Sequence, residues 1–162
     1  MFWLAIRVLP IPALVAADPA ILFAYRYWHN LKEGGWLPPR CRVDTPQFRL
    51  IVPGAQWIDL RARGGVPDLG PLEPLASVRH ADGGEVDGGP RLGDELAAAL
   101  GVAAATGTPL FQTIELRCRT RPVAYQQLVL PVADDGSRPT ELLHLCHRGE
   151  LNLQSSLLRD PA

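Results

Sequence analysis

The sequence predicts an α+β domain: an antiparallel sheet of four or five strands, with helices on one face and an N-terminal amphipathic helix. Three observations predict it. Residues 18–33 and 92–105 each carry apolar residues at helical spacing. The C-terminal third alternates apolar and polar residues in three runs, separated by an Arg-Pro turn and an Asp-Asp-Gly turn. With 162 residues, 47% of them hydrophobic, one domain with a sizeable core is expected.

Residues 1–17 are apolar apart from Arg7. They are too short for a membrane span, which needs about 20 apolar residues. Val15-Ala16-Ala17 offers the small residues of a signal-peptide cleavage site, so a signal peptide is the alternative reading, but the start is not basic and Pro10 and Pro12 break the apolar run. Residues 1–17 are read as an extension, poorly ordered or packed on the domain or a partner. The domain proper is assigned to residues 18–149, and residues 150–162 to a tail.

Asp18-Pro19 is a helix entry, with Asp as N-cap and Pro where its missing N–H costs nothing. Ile21, Leu22, Tyr25, Trp28 and Leu31 then form one stripe, and Gly34-Gly35 ends the helix. Trp36-Leu-Pro-Pro39 is a rigid extended connector. Asp44 opens a short helix with Phe48, Leu50, Ile51 and Val52 as core candidates. Gln56–Leu60 reads as a strand, and 72–78 as an edge strand because of its prolines. The segment 80–90, rich in Gly and acid, reads as a loop. Leu92, Leu96 and Leu100 line the second clear helix. Residues 110–119, 125–132 and 141–147 form the closing meander.

Composition excludes several functions. Lys and Arg nearly balance Asp and Glu, for a net charge of −1, and Lys32 is the only lysine. Broad nucleic-acid affinity needs clustered cations, so no nucleic-acid partner is expected. Cys41, Cys118 and Cys146 are far apart and odd in number, which argues against a disulfide framework or structural zinc and fits reduced thiols in the cytoplasm. No nucleophile elbow, phosphate loop or dinucleotide fingerprint occurs. His144, Cys146 and His147 are the densest set of metal-ligating types, but strand alternation places His147 opposite the other two. No metal, cofactor or catalytic residue is assigned.

Several stretches resemble a bacterial, alphaproteobacterial PAS-domain family. They are Ala24-Tyr-Arg-Tyr-Trp28, Leu37-Pro38, Asp44 with Pro46, and Ile58-Asp59-Leu60, followed by Gly107-Thr-Pro109, Tyr125, Leu128-Val-Leu-Pro131 and Asp135-Gly136. The resemblance covers residues 20–147. It implies a PAS-like five-stranded antiparallel sheet of order 2-1-5-4-3 with helices over one face. It also implies a sensory or regulatory role in signal transduction. The family's segment between its second strand and long helix is here the acidic Gly-rich loop.

The expected function is a sensory module that binds a ligand, a protein, or both, with an unidentified signalling protein as partner and no output domain of its own. The candidate ligand pocket lies between the sheet and the long helix, at Leu96, Leu100, Ile114, Leu116, Tyr125 and Leu128. The alternative is an interaction or dimerisation module without a small ligand, whose interface includes Tyr25 and Trp28.

Overall fold

The computed structural model describes residues 3–61, 89–117 and 122–151. The expected strand 72–78, the loop 80–88, Cys118 and the tail beyond Leu151 lie outside the described residues.

The chain begins with β1 (Trp3–Leu9) and a 3-10 helix (Ile11–Ala16). Next come α1 (Pro19–Leu31), α2 (Arg40–Val43), α3 (Pro46–Ile51) and β2 (Gln56–Asp59). After the long helix α4 (Gly89–Thr106) follow β3 (Leu110–Arg117), β4 (Pro122–Val132) and β5 (Glu141–Arg148). The five strands form one antiparallel sheet in the order β1-β3-β4-β5-β2. The amphipathic α1 is therefore not the first element. Residues 3–9, read from sequence as an extension, pair with β3 as an edge strand. Their apolar run gave no helix–strand distinction, because pairing depends on a partner a hundred residues away.

The helices do not share one face, and this corrects the expectation. Successive residues of a strand point to opposite sides. In β4, Leu128, Leu130 and Val132 join a core with Ile21, Ala24 and Trp28 of α1. Val129 joins a second core with Leu96, Leu100 and Ala103 of α4. In β5 the same division separates Leu143 and Leu145 from Leu142. The sheet is thus a middle layer, with α1–α3 on one side and α4 on the other.

Local chemistry accounts for the helix ends. Asp18 accepts from the Ala20 N–H at 2.9 Å, with Pro19 at the first helical position. The short helix predicted from Asp44 is α3, and α2 precedes it within a stretch read as connector. Thr45, not Asp44, caps α3 by accepting from the Phe48 N–H at 3.2 Å. Asp44 instead holds Arg49 at 2.7 Å and Arg40 at 3.6 Å. Phe48 and Val52 are buried as expected, while Leu50 and Ile51 are exposed because the single-turn α3 covers the core with one side only.

Gln126 fastens α1 to the sheet. Its buried Oε1 accepts the Asp18 N–H at 2.7 Å, and its Nε2 donates to the Glu150 carbonyl at 2.8 Å. Trp28 supplies the second fastening. Its indole is 1% exposed, and its Nε1–H donates to the Pro131 carbonyl at 2.7 Å.

Replacing Trp28 by Phe keeps the ring burial but leaves the Pro131 carbonyl without its donor. An unpaired buried acceptor costs about 1–3 kcal/mol. Urea unfolding of Trp28→Phe is expected to show a loss in that range.

Candidate functional site

Two regions hold the residues singled out in the sequence: the sheet face under α4, and the junction where α1 and the β4–β5 turn meet.

Under α4, Leu96, Leu100 and Ile114 are fully buried in one cluster, and Tyr125 packs against it half-buried. Leu116 occupies a β3 position opposite Val123 of β4. Leu128 is not part of this region; it faces α1, because its parity along β4 is that of Leu130. The structure thus brings four of the six expected pocket residues together as packed core and sends Leu128 to the opposite layer.

The same face carries a buried polar ladder that hydrophobic patterning does not reveal. Gln112 and Gln127 are directly opposed on β3 and β4, and Gln112 Nε2 donates to Gln127 Oε1 at 2.6 Å. His144 lies diagonally across β5, with its Nε2 2.9 Å from Gln127 Nε2. Gln127 uses its oxygen on Gln112, so its amide donates to His144, whose ring is then neutral with the proton on Nδ1. His144 is 2% exposed, and burial pushes its pKa down to about 4. Burial also pushes the neighbouring Cys146 thiol up to about 12, which makes it a poor nucleophile. Gln112 Oε1 has no hydrogen-bond partner among the described residues. The sequence signal was present in the alternation that places Gln112 with Ile114. It was passed over because a glutamine in a strand is ordinarily read as facing solvent.

Trp28, expected at a partner interface, is spent inside the chain on Pro131. Tyr25 is half-buried against the α1 core and stacks on His29 with centroids 5.6 Å apart. A helical stripe reports which side is apolar, not whether its cover is a sheet or another molecule.

At the junction, the Trp36–Pro38 connector continues the sheet beyond the end of β3. The last β3–β4 pair is Leu110 with Val129. From there the outward-facing groups of β4 need other partners. The Pro131 carbonyl takes the Trp28 indole, and the Ala133 N–H donates to the Pro38 carbonyl at 3.2 Å. The Leu37 N–H donates to the Gly136 carbonyl at 2.9 Å. Trp36 lies across Gly136, where a Cβ would fall 2.5 Å from the ring's Cε3. Trp28, Leu37, Pro38, Pro131 and Gly136 therefore meet at one place, and their contacts there are structural.

Above this junction opens a pocket of about 230 Å³. Leu31, Leu37, Pro38 and Pro39 give it an apolar wall. Trp36, Glu33, Arg42, Asp134 and Asp135 line the rest. Glu33 pairs with Arg42 at 2.6 Å, and Asp134 with Arg61 at 2.7 Å. Among the described residues no three His, Cys, Asp or Glu side chains converge as metal ligands. No helix among them is long and apolar enough to cross a membrane.

No family model, curated protein or solved structure matches the chain.

Two outcomes test this geometry. Gly136 has φ +77°, so Gly136→Ala meets both backbone strain and the Trp36 ring, and a loss of about 1–3 kcal/mol in urea unfolding is expected. Gly54→Ala, with open space around it, serves as the control. The second concerns His144. Its folded pKa lies below the unfolded value, so its contribution is complete above pH 6.5 and is lost as pH falls through 6.5 toward 4. Between pH 7 and 5 the wild type is expected to lose about 2 kcal/mol more stability than His144→Gln, measured by urea unfolding at each pH.

Proposed function

We propose that this chain is a PAS-like regulatory module that works by binding. The observation that carries the reading is the strand order. Counting β2 as the first strand of such a sheet, the run β2-β5-β4-β3 corresponds to 1-5-4-3 of the family order. β1 is then an addition beside the third strand. The long α4 packs on one face of these strands between the first and third, as the family's helices do. The family order leaves its second strand to residues 72–78, which lie outside the described residues.

The state of the core supports binding over turnover. Among the described residues His144 meets an amide and no carboxylate, and the Cys146 thiol is held protonated by burial. Contact with another protein is favoured over a small ligand because Leu96, Leu100 and Ile114 are committed to packing with the sheet. Among the described residues, a pocket open to solvent lies elsewhere, beside Trp36, and is smaller than the roughly 300–1,000 Å³ of a drug-sized site.

Nuclear Overhauser contacts in the isotopically labelled full chain test the reading. Cross-strand contacts between residues 72–78 and Gln56–Asp59 are expected. Slowly exchanging β2 amides with a different strand, or with none, beside them would overturn the PAS-like order.

A further inference from the structure

The geometry points to the pocket beside Trp36 as a receptor for an arginine side chain presented by a partner polypeptide. This rests on the reading of the chain as a binding module and names the chemistry of one of its contacts.

The first argument is the state of Trp36. Its side chain is 58% exposed, an unusual position for the largest apolar residue. Its placement is nevertheless firm. The Trp36 N–H donates to the Glu33 carbonyl at 3.1 Å, the next residue is bonded to Gly136, and one side of the ring rests against the Gly136 backbone. A rigid indole with an open side has little ordering entropy left to lose, which is the property of an interface anchor.

The second argument is how this chain treats two other indoles, Trp28 and Trp57. Lys32 Nζ sits 5.2 Å from the Trp28 ring centroid, and the Arg40 guanidinium 4.6 Å from that of Trp57. Among the described residues no cation lies over Trp36. The vacancy faces a pocket whose charged lining is Glu33, Asp134 and Asp135 against Arg42. Glu33 and Asp134 are matched internally by Arg42 and Arg61. Asp135 has no ion pair among the described residues. Its Oδ1 accepts from the Ser137 N–H at 3.0 Å and the Ser137 hydroxyl at 2.9 Å, which hold its carboxyl below the usual range and keep it charged.

The third argument is size and shape. About 230 Å³ accommodates one long side chain rather than a metabolite. Leu37 and the two prolines offer an apolar wall for an aliphatic stem, the indole offers a surface for a planar guanidinium, and Asp135 offers a carboxylate. Arginine satisfies all three, because it stacks and forms charge-assisted bonds with the same group.

The test is a heteronuclear titration of the labelled full chain with the blocked peptide Gly-Ser-Arg-Ser-Gly, against the same peptide with citrulline, a neutral isostere, in place of arginine. Saturable shifts of the Trp36 indole and the Gly136 amide are expected with arginine at millimolar concentration, and about tenfold weaker binding with citrulline. Asp135→Asn retains the Ser137 contacts and removes the charge; it is expected to reduce affinity several-fold and to flatten its salt dependence. Trp36→Leu is expected to abolish binding, with folding verified by the unchanged Trp28 indole resonance. No saturable shift, or equal binding of the citrulline peptide, would overturn the proposal. Unchanged affinity in Asp135→Asn would do the same. None of these results depends on where residues 72–78 pair, so this proposal and the PAS-like order fail separately.

Discussion

The bond from the Trp28 indole to the Pro131 carbonyl is the constraint on which the arrangement depends. β4 lies at the middle of the sheet, an unusual place for a proline, which cannot donate to a ladder. The Val132 carbonyl accepts from Thr140 on the β5 side, so the groups of Pro131 point the other way, where β3 has already ended. The proline therefore forfeits no ladder bond. Its carbonyl still needs a donor in a dry interior, and the only tryptophan of α1 reaches it. Together with the Asp18–Gln126 bond, that contact sets the position of α1 along β4. It also places the connector after α1 so that Leu37 and Pro38 bond the β4–β5 turn.

The two faces of the sheet then take different characters. The α1 face is aliphatic and aromatic, with Phe48, Phe111, Leu130 and Leu143 packed around Trp28. The α4 face carries amides and an imidazole at its centre. Such a ladder contributes little net stability when fully paired and costs several kilocalories when one member loses its partner. It does select register. A one-residue slip of β4 against β3 would drive Gln127 into the aliphatic face, so the ladder discriminates against that alternative.

Polar content also separates the two regions in function. His144 is buried and neutral, and the thiol beside it is protonated, so that face is organised for cohesion. At the junction the structural contacts are spent on backbone groups, and this leaves the upper side of Trp36 and one carboxylate turned outward. The proposed binding site sits on the junction because the turn there is held by backbone bonds from Leu37 and Pro38.

The sequence alone set α1, α3, α4, the closing meander and most of their ends, but neither the 3-10 helix nor α2. Periodicity, caps and turn residues act over a few neighbours, as at Asp18-Pro19 for α1 and at Gly136 for the β4–β5 turn. The sequence placed Leu96 and Ile114 together, as walls of a pocket rather than as the packed core they form. It did not determine that β1 is a strand, that helices cover both faces, that Leu128 and Leu96 belong to opposite layers, or that Trp28 is an internal brace. Each of these depends on contacts between segments that are not neighbours in the chain, and a hydrophobic stripe carries no label for the surface that covers it. The Gln112–Gln127–His144 ladder was likewise decided only when β3, β4 and β5 were aligned, since a polar residue is recognisable as buried only once its neighbours on adjacent strands are known.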